Sequence, residues 1–201
     1  MQLGLAVLRA IVGGLFFGHG TQKLAGWFRG NGLKATAEAF ESMQLPPGVA
    51  HATVAGVAEA GGGVLLAAGL ATPLGAAALS GTMITAIRKV HAPNGPWVAE
   101  GGYEYNLVLL AIVFAITDEG PGLLSLDALR GRSRWGMGWA LGQLAAGALG
   151  SALAIELGAR QDRAASAEET PSRPAAAQRP GAEEPAVDAQ PVGSAPSPAA
   201  G

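Results

Sequence analysis

Five apolar stretches in this chain are long enough to cross a lipid bilayer, and the first four keep ionisable residues inside or at the end of the apolar run. Arg9, His19 and Lys23 sit in the first, and His51 and Glu59 in the second. Arg88 and His91 end the third, and Glu104 opens the fourth. A charge at the bilayer centre costs roughly 2.5–3.5 kcal/mol on insertion scales, so such residues face one another or a wet cavity. The pattern predicts an all-α polytopic membrane protein with a four-helix transmembrane core, a fifth C-terminal transmembrane helix and an internal polar cluster.

The spans read as about 3–24, 49–70, 74–90, 104–117 and 135–157. Between the first two, residues 35–43 suit a short amphipathic helix on the membrane surface, closed by Pro46-Pro47. Ala71-Thr72-Pro73 predicts a tight turn, because Pro after a helix end blocks its continuation. Pro93-Asn94-Gly95-Pro96-Trp97 predicts irregular backbone, with Trp97, Tyr103 and Tyr105 at headgroup level. In the fifth span small residues recur at Gly138, Gly142, Ala146, Gly150 and Ala154. Such a row suits close approach to another helix, within the chain or in a second copy. From Arg160 onward the chain turns to Ala, Pro, Glu and Ser, and disorder is expected. Three regions follow: a four-helix membrane domain over 1–128, a basic linker with the additional transmembrane helix over 129–159, and a tail over 160–201.

Composition supports this class: 49% of residues are hydrophobic and 14% charged, against about 25% charged in soluble domains. Before residue 160 there are nine basic and nine acidic side chains, so the body is neutral and no basic patch suggests nucleic acid. Cysteine is absent, which excludes disulfides, thiolate nucleophiles and Cys-ligated metal. The first apolar run contains Arg9 with no basic residue ahead of it, unlike a cleaved signal peptide. Gly61-Gly62-Gly63 lies mid-helix without a preceding strand and does not suggest a nucleotide loop.

Arg9, Phe16, Lys23 and His19 fall within about 80° of arc on the first helix and share a face. The opposite edge carries Ala6, Ala10, Gly14 and Gly18, a small-residue row suited to helix contact. Glu59, near the middle of the second span, needs a partner or a proton. Arg9 is the natural candidate, with His91 or Lys23 next in line, and the plainer reading is an ion pair that fixes helix register. Alternation of the spans brings His19, Lys23, His51, Arg88, His91 and Glu104 to one mouth of the bundle. Snorkelling to headgroups is the competing reading for Lys23, Arg88 and Lys89. No two His stand at i, i+4, so hydrogen-bonded interfacial His is favoured over a metal site. Arg130, Arg132 and Arg134 oppose Arg29, Lys34, Arg88 and Lys89 in the positive-inside count, and the balance places the N-terminus in the cytoplasm.

At these residues the chain resembles the DoxX family of small bacterial membrane proteins. The likeness lies in an ordered series: Arg9, then Phe17-Gly18-His19-Gly20 with Lys23-Leu24, then Glu59-x-Gly61-Gly62 leading to Gly69-Leu70-x-Thr72-Pro73. Met83, Ala86-Ile87, His91, Gly95-Pro96-Trp97, Gly102-Tyr103-Glu104-Tyr105-Asn106 and Gly120-Pro121-Gly122 before Ser125-Leu126-Asp127 complete it. The resemblance implies a four-helix plasma-membrane protein and a link to thiosulfate:quinone oxidoreductase. For some members it also implies a complex with a sulfurtransferase and a superoxide dismutase in oxidative stress. Arg9, His19, Lys23, Glu59, His91 and Glu104 match the family pattern and could carry function.

The expected function is therefore a membrane subunit or anchor of a quinone-linked redox, sulfur or oxidative-stress complex. The polar cluster is Arg9, His19, Lys23, Glu59, Arg88, His91 and Glu104, with His51, Trp97 and Asn106 as secondary members. Quinone is the cofactor this reading admits. Its partners are the bilayer, soluble redox or sulfurtransferase proteins and a second copy of the chain. A small-solute or proton-coupled transporter, and a non-catalytic scaffold for soluble stress enzymes, are the alternative classes.

Overall fold

The computed structural model describes residues 2–132 and 134–169, and among these no strand occurs. Seven α-helices follow in order: α1 (Gln2–Ala25), α2 (Gly32–Ser42), α3 (Gly48–Ala68), α4 (Thr72–Ala86), α5 (Glu104–Glu119), α6 (Leu126–Leu129) and α7 (Met137–Glu169). Among the described residues three helical stretches are long and apolar enough to cross a membrane: Leu3–Ala25, Gly48–Ala68 and Met137–Ala167. α4 has 15 residues and α5 has 16. A π-helical turn at Ile87–His91 extends α4, so that together they reach about 30 Å. The chain is an all-helical membrane protein. Large apolar side chains such as Leu3, Ile11, Val64, Val108, Leu149 and Leu153 point outward, as a bilayer solvent requires.

α4 is the central helix, packed on α3, α5 and α7, while α1 packs along α3 and α2 rests across α3. Val12, Phe16, Leu66, Ala76, Leu79, Met83, Leu109, Val113 and Ile116 form the core. The α3–α4 turn forms where the sequence predicts it. Gly69 takes the left-handed conformation (φ 60°), and the Leu70 N–H returns to Leu65 O at 2.9 Å, closing a Schellman cap. Pro73 then sits in the first turn of α4, where its missing N–H costs nothing.

Two small-residue rows are not the contact edges within this chain. On α1 the contact edge is Gly13 and Gly20, where a Cβ would strike the backbone of Gly63 and Ala67, or of Gly56 and Ala60. Gly14 and Gly18 meet nothing within 4 Å, because burial of Arg9, Val12 and Phe16 turns them away from α3. On α7 the inward face is Ala140, Gln143, Gly147 and Ser151. Ser80 Oγ donates to Gln143 Oε1 at 2.8 Å, and the Thr85 and Ser151 hydroxyls are hydrogen-bonded at 2.9 Å. Interhelical polar pairs of this kind hold membrane helices together, and here they select the face. Gly138, Gly142 and Gly150 consequently meet nothing within 4 Å.

α7 also outruns the expected span. It continues to Glu169, because Arg160 to Glu169 contains only residues that tolerate a helix and Pro171 is the first proline after them. Glu156 accepts from Arg160 at 2.8 Å one turn on, an exposed pair that supports this extension. The remainder of the expected tail lies outside the described residues.

Candidate functional site

Lys23 Nζ donates to Glu59 Oε2 in the ion pair that joins α1 to α3. The Glu59 side chain is 6% exposed and that of Lys23 28%. The pairing corrects the expected Arg9–Glu59 contact. Glycine contacts set Gly20 beside Gly56 and Ala60, which puts Lys23 one turn from the carboxylate. Arg9 lies roughly 16 Å further along the helix axis from Gly20, beyond the reach of its side chain.

Beside this pair opens a cavity of about 660 Å³ between α3, α4 and α7, roofed by Phe40, Met43 and Leu45. His19, Lys23, His51, Glu59, His91 and Asn106 line it, together with Lys89. The clustering of His19, Lys23, His51 and His91 at one mouth follows the alternation of spans. Arg88, Glu104 and Trp97 are not part of the lining, and Arg88 and Trp97 are exposed. Arg88 falls outside because the lining face of α4 recurs at Ala78, Thr82, Thr85 and Ala86, and that period brings Lys89, not Arg88, to the cavity; His91 follows in the π-helical turn. Trp97 sits at the tip of the 92–103 loop, which closes on itself through Tyr103 N–H to Gly95 O (3.2 Å) and Glu104 N–H to Pro96 O (2.7 Å).

Several of the polar lining residues are held by a neighbour. His91 Nδ1 donates to Gly101 O at 2.7 Å, so the neutral ring keeps its lone pair on Nε2. Asn94 Nδ2 donates to the same carbonyl at 3.2 Å. His51 stacks on Phe40 with ring centroids 6.4 Å apart. Asn106 Nδ2 contacts Met83 Sδ at 3.4 Å. The other walls, including Val54, Ala55, Ala58, Ala77, Ala78 and Gly81, are small and apolar. Among the described residues no three His, Asp or Glu converge as a metal set.

Arg9 belongs to a second polar knot at the opposite end of the bundle. It is 2% exposed, and its Nη2 donates to Leu124 O. Gly69 makes room for the guanidinium, since a Cβ there would overlap Nη1. Asp127 N–H donates to Gly69 O at 2.9 Å, and Asp127 Oδ2 accepts from Thr72 N–H at 3.2 Å. Arg9 Nε, Arg9 Nη1 and Asp127 Oδ1 have no hydrogen-bond partner among the described residues. Asp127 was visible in the sequence only as the end of Ser125-Leu126-Asp127. Ser125 caps α6 by accepting from Ala128 N–H at 3.1 Å, which is a local signal and says nothing of Gly69 or Thr72.

Residues 4–92 match the sequence profile of the DoxX family. Over 126 residues the chain is 34% identical to "Putative oxidoreductase CatD" of Bacillus subtilis (strain 168), covering 63% of this chain and 86% of that one. This chain belongs to the DoxX family. No solved structure matches it. The DoxX match runs from α1 through the π-helical turn, so it contains Arg9 and both halves of the Lys23–Glu59 pair. It ends before Asn106, Asp127 and all of α7.

Proposed function

We propose that this DoxX protein is the bacterial plasma-membrane subunit of a redox complex, and that its cavity receives a quinone head group beside Lys23 and Glu59. The observation that carries the reading is a buried ion pair at one end of a largely apolar cavity of about 660 Å³. Small-molecule sites typically occupy about 300–1,000 Å³ and combine apolar walls with a few convergent polar groups. The name of the Bacillus subtilis relative supports the redox class.

The chemistry asked of the residues is limited. A quinone carbonyl accepts hydrogen bonds, and Lys23 Nζ is a donor on the cavity wall. When the quinone takes up two electrons, each carbonyl oxygen also gains a proton. Glu59 and His91 are the lining groups able to pass one on. The electrons must come from a partner, since the chain has no cysteine to carry them. In this reading the protein anchors soluble redox or sulfurtransferase partners, and its N-terminus is cytoplasmic.

Purified full-length protein, alone and with co-purifying partners, is the material for the test. Saturable binding of a ubiquinone analogue, or its reduction by thiosulfate in the presence of those partners, is the expected result. Neither binding nor turnover under either condition overturns the proposal.

A further inference from the structure

We infer that the seam between α3 and α7 is a lateral doorway from the bilayer. In this inference α7 flanks the head-group end, and the hydrocarbon chain of a membrane-dissolved amphiphile lies along α4 toward Leu74. It rests on the quinone reading for the identity of the head group; the route and the chain track come from helix packing.

α3 and α7 both pack on α4, yet among the described residues they have no substantial contact with each other. The cavity occupies the gap. Val54 of α3 and Leu74 of α4 line it while being 67% and 66% exposed, so it opens sideways toward lipid. At the polar end Met43 and Leu45 also line it, and Leu45 is fully buried, so entry from the aqueous face is roofed.

The seam also explains the small-residue row on α7, which stands at the polar end of the cavity, where the Ser151 and Thr85 hydroxyls are hydrogen-bonded. Ala146, Gly150 and Ala154 line the cavity, and a Cβ on Gly150 would meet no atom of the described residues within 4 Å. These residues leave space where a helix contact would fill it. From Thr85 to Leu74 the track along α4 is roughly 16 Å long; Lys23, Glu59 and His91 lie toward its Thr85 end, and Ala77, Ala78 and Leu74 line the other. A long apolar slot with polar groups at a single end, open to lipid, fits a head group carrying a long chain. A soluble oxyanion would leave most of its walls unused.

The probes are decylubiquinone and the same dimethoxy-methyl-benzoquinone without its chain, each titrated into detergent-purified full-length protein. The readout is the ratio of affinities in a variant relative to wild type, which cancels partitioning into micelles. Ala78→Leu, on the chain track, should weaken decylubiquinone at least about ten-fold and leave the chainless compound unchanged. Leu74→Trp, where the track opens to lipid, should do the same. Loss of both compounds in Ala78→Leu would place the head group on that track and overturn the doorway. Unchanged decylubiquinone binding in both variants would overturn it as well, while the quinone site itself would stand. If wild type binds neither compound, the quinone reading and the doorway fall together.

Discussion

Lys23 and Glu59 are paired across α1 and α3 with unequal burial: Glu59 is enclosed, whereas Lys23 keeps a path outward along its own stem. The two halves of the pair should therefore differ in what their loss costs. Lys23→Met strands a buried carboxylate, and breaking a buried pair in this way typically costs about 3–5 kcal/mol. Glu59→Gln leaves an ammonium that can snorkel, and about 1 kcal/mol is expected. Chemical denaturation of the purified variants measures both, and equal losses would contradict the asymmetry. The double variant should lose less than the sum, since no orphan charge remains.

At the other end of the bundle, Gly69→Ala and Gly61→Ala should have opposite signs. Gly69 needs a left-handed backbone and space for the Arg9 guanidinium, so Ala there should cost at least about 1–2 kcal/mol. Gly61 lies inside α3 with open space around it, and Ala should stabilise the helix by about 0.8–1.0 kcal/mol. Thermal melts of the two variants against wild type decide the matter.

Gly147 and Gly142 make a similar contrast on α7. A Cβ at Gly147 would lie 2.8 Å from Gly81 N and Ser80 Cβ, so Gly147→Leu should cost about 1–3 kcal/mol by overpacking. Gly142→Leu faces open space and should leave monomer stability unchanged. Size-exclusion profiles of Gly142→Leu, read beside its melting curve, test whether a second copy packs on that row.

In proteoliposomes under an imposed pH gradient, wild type and Glu59→Gln should show the same background proton leak if Glu59 serves a bound ligand. A wild-type flux that Glu59→Gln abolishes would move the protein into the transporter class.

The helices, the α3–α4 turn and the polar mouth were legible because hydropathy, proline and alternation are local or additive signals. Helix phase was not. Gly14 and Gly18 look as suitable for contact as Gly13 and Gly20, and only the burial of Arg9 and Phe16 distinguishes them. The partner of Glu59 was misread for a related reason. Both Arg9 and Lys23 lie on the inward face, and the axial register that favours Lys23 is set by glycine contacts between helices. Asp127 was hidden because its contacts to Thr72 and Gly69 span more than fifty positions of sequence.

The wide turn at Ile87–His91 has a mechanical consequence for the residues around it. Arg88 and Lys89 are adjacent cations just inside it, and Lys89 reaches the ligand space because it continues the face of Thr82, Thr85 and Ala86. Deleting one residue from that turn would let α4 continue at ordinary pitch and re-phase everything up to the Gly101 carbonyl that holds His91. The charge at this place is thus written in helix phase: losing one residue ahead of Lys89 would bring Val90 there, and gaining one would bring Arg88.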